Sequence, residues 1–330
     1  MKRREFIMLV GGAAATWPLS ARAEQVDRIR RMGVLMAFEE NDPESERRIT
    51  ALRHELQELG WWEGVNVRID FRWGGGDQGR ARAGAQELVG LQPDVIVGHA
   101  TLSMIALRQE TRTVPIVFTA VNQPVAQGFV ASLAHPGGNI TGFTNLDPTV
   151  GGKWLELLKD IAPNVKRVAV MFNPDATPIA IPFSRSAQAA AEKFSVDVVL
   201  SPVHGPGDIE RVMTMLGDRP DGGLIIPPDT FMTVHRKLVI ELATRHRIPA
   251  ISANRSYAAD GCLLSYSINA VYQFRQVAVY ADLILRGKKP ADLPVQQPTT
   301  FQLVINLRTA RALGLTVPRG LLWMADEVIE

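Results

Sequence analysis

The sequence predicts an α/β protein built from two Rossmann-like lobes, each with a parallel sheet covered by helices. Three observations lead to this fold class. Short apolar runs such as Met32–Phe38 have the length and composition of strands that are buried on both faces. Each run is followed by a segment with apolar residues at helical spacing, which gives a repeated strand–helix order. That order restarts after residue 146, and no low-complexity linker separates the halves.

The first half of the chain predicts four strand–helix units. Its first helix places Leu52 and Leu56 on one face and ends at Gly60. The alternating run Val65–Trp73 indicates the second strand. The other predicted elements of this half are a helix that starts at Asp77, strand Asp94–Gly98, helix Leu102–Glu110 and strand Pro115–Phe118.

The second half repeats this alternation with similar spacing, which predicts a second lobe of similar construction. Its predicted strands are Val168–Phe172, Val196–Leu200, Gly223–Ile226, Pro249–Ser252 and Leu263–Ser267. Its predicted helices are Trp154–Ile161, Ala187–Lys193, Ile209–Leu216, Val234–Arg245 and Tyr272–Arg286.

The stretch 114–145 joins the two halves and carries a candidate ligand loop. Its apolar run ends before Asn122 and Gln123, and Pro124 suits the first position of a helix. Polar groups between the carboxyl end of a parallel strand and a helix start are where open α/β sheets bind ligands. We therefore expect a helix from Pro124 to about Ala134, where a Pro-Gly-Gly breaker ends it. The NITGFT segment that follows is extended and is expected to lead out of the first lobe.

Residues 1–23 are typical of an export signal. Arg3 and Arg4 form a twin-arginine pair, a short apolar region follows, and a small-x-small cleavage site ends at Ala23. The apolar region is shorter than the ~20 residues that a membrane-spanning helix needs. We therefore expect a periplasmic product that starts at Glu24 and has no membrane span.

Composition gives no reason to expect a nucleic acid as partner. The whole chain carries a formal charge of +2, and residues 1–23 contribute +3 of it, so the mature form would carry −1. No basic patch points to DNA or RNA. Cys262 is the only cysteine and lies in an apolar run, which predicts a buried, unreactive thiol and no intrachain disulfide.

Four phrases of the sequence resemble one bacterial family. They are ALRHELQELGWWEG at 51–64, the PIVF…GFVASLAHPGGNITGFT wording within 115–144, KRVAVMFNP at 166–174, and KPADLPVQQPTTFQLVINLRTARALGL with the closing ADEVIE from 289 onward. In this order they are similar to the substrate-binding proteins of an ABC import family that includes tryptophan- and tyrosine-binding members. The resemblance covers nearly the whole mature chain.

The resemblance implies the type I periplasmic binding fold, in which the chain crosses the hinge between the lobes three times. The crossings would lie near residues 143–148, 266–270 and 294–300. The first lobe would comprise 24–145 with about 268–295, and the second 146–267 with about 296–330. We expect a monomer without cofactor that closes on a small organic ligand and is recognised by the membrane subunits of an ABC permease.

Candidate ligand residues follow the strands, at the edge where the carboxyl ends of parallel strands meet. Hydroxyls and amides at helix starts can bind an anionic group, assisted by free backbone N–H donors. Each of these residues could instead be an ordinary helix cap, but their shared edge predicts a site between the lobes. Phe38 and Tyr266 are candidate aromatic walls, although Tyr266 could also be a tyrosine of the hinge core. The full set is Phe38, Glu39, Thr101, Ser103, Asn122, Gln123, Thr144, Asn173, Asp229 and Tyr266.

Two other functions remain open from the sequence. Gly74, Gly76 and Gly79 spell G-x-G-x-x-G between a strand and a helix, which could indicate a nucleotide-dependent α/β enzyme. This is the second strand–helix turn, whereas the dinucleotide fingerprint belongs to the first, so a glycine turn with Asp77 as helix cap competes with that interpretation. Hydrolase, kinase and zinc motifs are missing from the sequence, and we expect neither catalysis nor a bound metal. The other alternative is a sensory module that passes its ligand to a receptor.

Gln123 departs from the family pattern. Relatives commonly read V-G-D-P-V where this chain has Val-Asn-Gln-Pro-Val at 121–125. An aspartate there could pair with an amino group of the ligand, whereas the amide of Gln123 carries no charge. Unless Glu39 or Asp229 supplies that charge, the sequence predicts weak binding of free aromatic amino acids. A neutral or carboxylate-bearing aromatic, or another small organic molecule, is expected to bind better.

Overall fold

The structure is a computed structural model that describes residues 28–175 and 180–330. Within these ranges the chain forms two α/β lobes, each with a mostly parallel sheet and helices packed on its faces. The predicted fold class is therefore confirmed. The expected signal peptide lies outside the described residues. None of the helices in the described ranges is long and apolar enough to cross a membrane.

The first lobe contains a five-stranded sheet. Its strands are β1 (Arg30–Met36), β2 (Val67–Trp73), β3 (Val95–His99), β4 (Ile116–Val121) and β5 (Ile140–Thr144). The helices that follow the first three strands are α1 (Pro43–Glu58), α2 (Gln78–Gly90) and α3 (Ala100–Glu110). All pairs are parallel, in the order β2-β1-β3-β4-β5. Because parallel neighbours need a crossover connection, the helices between them cover the sheet.

The second lobe contains a seven-stranded sheet. Its strands are β6 (Arg167–Phe172), β7 (Asp197–Pro202), β8 (Gly222–Ile226), β9 (Ala250–Ser252), β10 (Leu264–Ile268), β11 (Phe301–Asn306) and β12 (Glu327–Ile329). Its helices are α4 (Val150–Ile161), α5 (Ala180–Phe194), α6 (Pro206–Gly217), α7 (Thr230–Val234), α8 (Arg236–Arg245), α9 (Arg255–Asp260), α11 (Leu307–Ala312) and α12 (Arg319–Met324). The strand order is β12-β11-β10-β9-β8-β6-β7, and β10 with β11 is the antiparallel pair.

The remaining long helix, α10 (Ala270–Leu285), packs on the first lobe although it follows a strand of the second. Its Phe274 and Val277 are buried in one core cluster with residues of β1 to β4. The chain then passes a short 3₁₀ turn and returns to β11, and on the way Thr144 N donates to Gln296 O at 2.8 Å. Together with the segment after β5, three chain segments connect the lobes in the part that the structure describes.

Each sheet is packed on both faces by apolar side chains. In the second lobe, Trp154 and Phe183 are fully buried and stack with ring centroids 5.5 Å apart. Burial of one such side chain stabilises the fold by about 1.5–3 kcal/mol. Cys262 lies in the same lobe, where its thiol donates to Ala250 O at 3.1 Å and burial raises its pKa to about 12. The expected buried thiol is thus present.

The prediction of a helix from Pro124 to about Ala134 is wrong. Residues 124–128 form turns instead, and residues 129–131 form a bend. Gly128 adopts φ +65°, in the left-handed region, so the first turn cannot continue as a right-handed helix. The freed backbone groups are bonded locally, since Phe129 N donates to Pro124 O at 2.9 Å and Ala131 N donates to Pro136 O at 2.8 Å. The chain therefore reaches β5 through a loop.

Candidate functional site

A cleft of about 850 Å³, including its open mouth, lies between the two lobes. From the first lobe and α10 it is lined by strand ends and helix starts, among them Phe38, His99, Thr101, Asn122 and Phe274. From the second lobe it is lined by the start of α7, the start of α9 and the end of β10, among them Asp229, Arg255 and Ser267. The lining therefore comes from the carboxyl edge of each parallel sheet, as expected for ligand sites in α/β folds.

The backbone at this edge is held in an unusual conformation. Ala100 has φ +65° and Ala120 has φ +56°, and both residues line the cleft. Gln123, close to this wall, has φ +42°. Positive φ is costly for residues with a Cβ and is concentrated at functional sites. The residues with unusual backbone conformation therefore lie at the sheet edge that lines the cleft.

Aromatic rings form one wall around His99. The His99 ring makes edge contacts with Phe38 at 4.9 Å and with Phe274 at 5.5 Å between centroids. Burial and the neighbouring Arg48 hold the pKa of His99 well below 6.5, so the imidazole is neutral at pH 7. Because a guanidinium only donates, His99 Nε2 accepts from Arg48 Nη1 at 3.0 Å.

Arg48 is the buried cation of the cleft wall. Its side chain is 6% exposed, and its Cζ lies 5.0 Å from the centroid of the Phe38 ring. The nearest carboxylate oxygen, Oε2 of Glu44, is 3.9 Å from Arg48 Nη2. Burial lowers the pKa of the guanidinium, and Glu44 partly offsets this. An arginine nevertheless remains charged in proteins.

Three buried polar atoms of residues that line the cleft have no hydrogen-bond partner within residues 28–175 and 180–330. They are Arg48 Nε, Asn122 Oδ1 and Ser267 Oγ. Leaving a buried donor or acceptor unpaired costs about 1–3 kcal/mol, so native proteins rarely retain such groups without reason. Arg48 and Asn122 belong to the first lobe and Ser267 to the second, so residues with unpaired buried atoms line the cleft on both sides.

Other polar residues of the lining are already engaged. Gln273 Oε1 accepts from Thr119 Oγ1 at 2.7 Å and from Ala120 N at 3.0 Å, and its amide donates to Thr144 O. It therefore ties α10 to β4 and β5. Asp229 caps α7 by accepting from Met232 N at 3.0 Å, and its second oxygen accepts from Asn173 N at 2.6 Å. Both side chains shape the cleft.

The structure brings four of the ten candidate ligand residues into the lining, namely Phe38, Thr101, Asn122 and Asp229. The residues outside the lining are Glu39, Ser103, Gln123, Thr144, Asn173 and Tyr266. Glu39 is 49% exposed and pairs with Arg80 at 2.8 Å, and this pairing lowers its pKa. Tyr266 stacks on Phe301 at 5.8 Å, as a tyrosine of the second lobe.

Three residues of the lining, Arg48, Ser267 and Gln273, were not among those predicted from the sequence. One signal for Arg48 was available, because it precedes Leu52 and Leu56 at intervals of four and so shares the buried row of helix α1. A charged residue on a core-facing row needs a partner or a function. Gln273 and Ser267 carried no comparable signal, because their environment is created by contacts between distant segments.

The glycine turn is a contact between the lobes. Gly76 has φ +74°, and a Cβ built on it would lie 3.0 Å from Cγ2 of Val234 in the second lobe. Asp77 caps α2 by accepting from Arg80 N at 2.7 Å. Gly76 is thus explained by its backbone conformation and by the contact between the lobes. In the described ranges no group of three His, Cys, Asp or Glu residues is arranged to hold a metal ion.

The chain is similar in sequence to proteins of ABC transport systems. Residues 36–329 match the profile of a family described as ABC transporter substrate binding protein. A tyrosine-binding protein of Clostridioides difficile (strain R20291) is 28% identical over 263 residues, which is 79% of this chain and 74% of that protein.

Solved structures agree with this relationship. A conserved domain protein of Vibrio cholerae is 30% identical with a TM-score of 0.83, over 91% of this chain and all of that one. An ABC domain from Streptococcus pneumoniae in complex with L-Trp is 26% identical with a TM-score of 0.82, over 92% of this chain and all of that one. A ligand-free, open substrate-binding protein from Clostridium difficile is also 26% identical, but with a TM-score of 0.67, over 91% and 99% of the two chains. Since the family profile spans most of its length, the chain belongs to the ABC transporter substrate-binding proteins.

Proposed function

We propose that this protein is the exported, periplasmic solute-binding component of an ABC importer. It captures a small organic ligand, aromatic or carboxylate-bearing, in the cleft between the lobes and closes on it by a hinge. We also propose that the protein is exported by its twin-arginine signal and cleaved after Ala23. The mature protein would be a monomer, and the membrane subunits of an ABC permease would recognise its closed form.

The observation that carries the proposal is the placement of unpaired polar atoms on both sides of the cleft. Asn122 Oδ1 in the first lobe and Ser267 Oγ in the second are buried and lack partners within the described chain. A ligand that donates a hydrogen bond to Asn122 Oδ1 and bonds the hydroxyl of Ser267 would complete both interactions, and it would do so only when the lobes are together. Binding would thereby favour the closed arrangement, because a ligand shifts an equilibrium by its differential affinity for the two states.

Two features support an aromatic or anionic ligand. Phe38 and Phe274 supply flat apolar surface beside His99. The charged residues of the lining are three arginines against two carboxylates, namely Arg47, Arg48, Arg255, Glu44 and Asp229. Arg255 is also paired with Glu327 outside the lining, whereas Arg48 has no acid within hydrogen-bond distance in the described ranges, so an anionic group on the ligand would be attracted to Arg48. The relatives named above, which bind tyrosine or L-Trp, have ligands that combine a ring with a carboxylate.

Free amino acids are proposed to bind more weakly than their deaminated analogues. Gln123 carries no charge, and Glu39 is paired with Arg80 outside the lining. Asp229 lies in the lining, but its two oxygens already accept backbone N–H groups. A ligand ammonium would therefore share the Asp229 carboxylate with two backbone N–H donors.

The proposed protein binds and does not catalyse. Its relatives with named ligands are binding proteins. The contact between Gly76 and Val234 supports a structural role for this glycine of the motif that suggested a nucleotide enzyme.

Native mass spectrometry of the protein recovered from the periplasm tests this function. We expect a small organic molecule to remain bound under native conditions and to be released on unfolding. The double variant Asn122→Leu with Ser267→Val should fold and lose it, while Ser132→Val, a change on the exposed loop before β5, should retain it. A wild-type protein that keeps a nucleotide, or one that never retains or binds a small molecule, would contradict the proposal.

A further inference from the structure

We infer that Arg48 is the specificity-determining residue that selects a carboxylate on the ligand. This inference rests on the proposed function and names the chemical class that the same cleft prefers. None of the ligand residues predicted from the sequence is a cation, so the position of Arg48 in the cleft wall follows only from the folded structure.

Arg48 is fixed in position before any ligand arrives. Its Nη1 donates to His99 Nε2 at 3.0 Å, and its guanidinium lies over the Phe38 ring. Packing and this hydrogen bond restrict the long side chain, so little conformational entropy remains to be lost on binding. His99, held neutral, acts as the acceptor that positions the guanidinium.

The charge of Arg48 is incompletely balanced by the protein. Glu44 is the nearest acid, but its Oε1 lies 3.0 Å from Arg47 Nη1 and 3.0 Å from Arg255 Nη1. Arg48 Nη2 is 3.9 Å from the other oxygen, beyond hydrogen-bond distance. The Glu44 carboxylate is thus shared among three guanidinium groups, of which Arg255 also pairs with Glu327, whereas Arg48 has no acid within hydrogen-bond distance in the described ranges. Because a buried cation without close compensation is costly, an incoming anion is favoured here.

The edge of the guanidinium that remains open has the geometry for a carboxylate. Nε and Nη2 form the side-on fork of an arginine, which binds the two oxygens of a carboxylate in parallel. Arg48 Nε has no partner in the described ranges and belongs to a residue that lines the cleft. The unpaired donor and the incomplete charge balance are independent observations, and both point to an anionic oxygen ligand.

The amide of the same acid is the matched neutral probe. It keeps the shape and ring of the ligand but replaces the charged acceptor by a neutral one. Hydrogen bonds to charged groups are stronger than neutral ones, so the acid should bind about ten-fold or more tightly than its amide. Suitable pairs are indole-3-acetate with indole-3-acetamide and 4-hydroxyphenylacetate with 4-hydroxyphenylacetamide.

Isothermal titration of the mature protein with these four probes tests the inference. Wild type should prefer each acid it binds, and Arg48→Met should bind acid and amide alike because it keeps the aliphatic stem without the charge. Arg48→Lys should retain part of the preference. Arg53→Met is the matched control, since Arg53 is on the same helix, pairs with Glu63 outside the cleft lining and is 45% exposed. It should leave the preference intact.

Several outcomes would overturn the inference. They are an undiminished preference in Arg48→Met, equal binding of acid and amide by wild type, binding of none of the acids, or a co-purified ligand that is neutral. Each would leave the proposed function in place if the wild-type protein still retains a small molecule in native mass spectrometry. If Arg48→Met fails to fold, the wild-type comparison and Arg48→Lys still decide the matter.

Discussion

Arg236 Nη1 in the second lobe lies 2.6 Å from Oδ2 of Asp42 in the first. Asp42 also caps helix α1 by accepting from Glu44 N at 2.9 Å. A second arginine of the second lobe, Arg255, donates to Glu44 Oε1 at 3.0 Å. The first turn of α1 is thus held by two ion pairs across the mouth of the cleft. This is the arrangement expected of lobes that have closed.

Loss of the Arg236 pair should favour the open lobes. We expect Arg236→Gln to raise the dissociation rate of the co-purified ligand at least ten-fold, equivalent to about 1.4 kcal/mol. The lobes can separate and hydrate Asp42, and Asp260, the second partner of Arg236, is already 35% exposed, so the folding of each lobe should be less affected than ligand binding. Stopped-flow dissociation measures the effect. Arg245→Gln, which removes an exposed pair with Glu241 on the same helix, is the control. Equal rates in the two variants would contradict this role.

Stability should depend on pH through His99. Because its pKa in the folded protein lies well below 6.5, the unfolded chain takes up this proton first as the pH falls. The stabilisation is complete above pH 6.5 and decreases below it, by up to about 1.4 kcal/mol for each pH unit. Urea unfolding of wild type and His99→Gln between pH 7.5 and about 5 measures this difference, with the exposed His135→Gln as control. Parallel stability curves for wild type and His99→Gln would show the assignment to be wrong.

Alanine should have opposite effects at two glycines near α2. Gly76 has φ +74° and faces Val234, so Gly76→Ala should lower the free energy of unfolding by about 1–2 kcal/mol and weaken ligand binding. Gly90 ends α2 with open space around it, and Gly90→Ala should be neutral or stabilising by up to about 1 kcal/mol. Denaturant unfolding with calorimetric titration measures both. If Gly76→Ala changed neither the free energy of unfolding nor ligand binding, the contact between the lobes would not explain this glycine.

Export should require the twin-arginine pair. Replacing Arg3 and Arg4 with lysine should leave precursor in the cytoplasm, whereas wild type should appear in the periplasm with Glu24 as its first residue. Fractionation with amino-terminal sequencing measures both outcomes. Unchanged export of the lysine variant would exclude the twin-arginine route.

The fold was predictable because its determinants are local. Short continuous apolar runs such as Met32–Met36 are typical of strands in a sheet covered on both faces, and helical spacing follows each of them. The error at Pro124 has a local cause as well. Pro124 is compatible with both a helix start and a turn, and the left-handed Gly128 decides between them.

The candidate site was less predictable because its determinants are not local. Thr101, Asn122 and Asp229 were found from their positions after strands. Glu39 also follows a strand, but its carboxylate pairs with Arg80 of helix α2 and does not line the cleft. Arg48 and Ser267 enter the cleft only because the two lobes meet, which no pattern along the sequence records.

Small-angle scattering tests most directly the central claim that a small ligand closes the two lobes. The mature protein would be freed of its ligand by unfolding and refolding, and measured with and without the molecule identified by mass spectrometry. We predict a smaller radius of gyration in the liganded sample, with unchanged secondary structure, because the motion is a hinge between rigid lobes. Identical scattering curves for a ligand shown to bind by calorimetry would contradict the account.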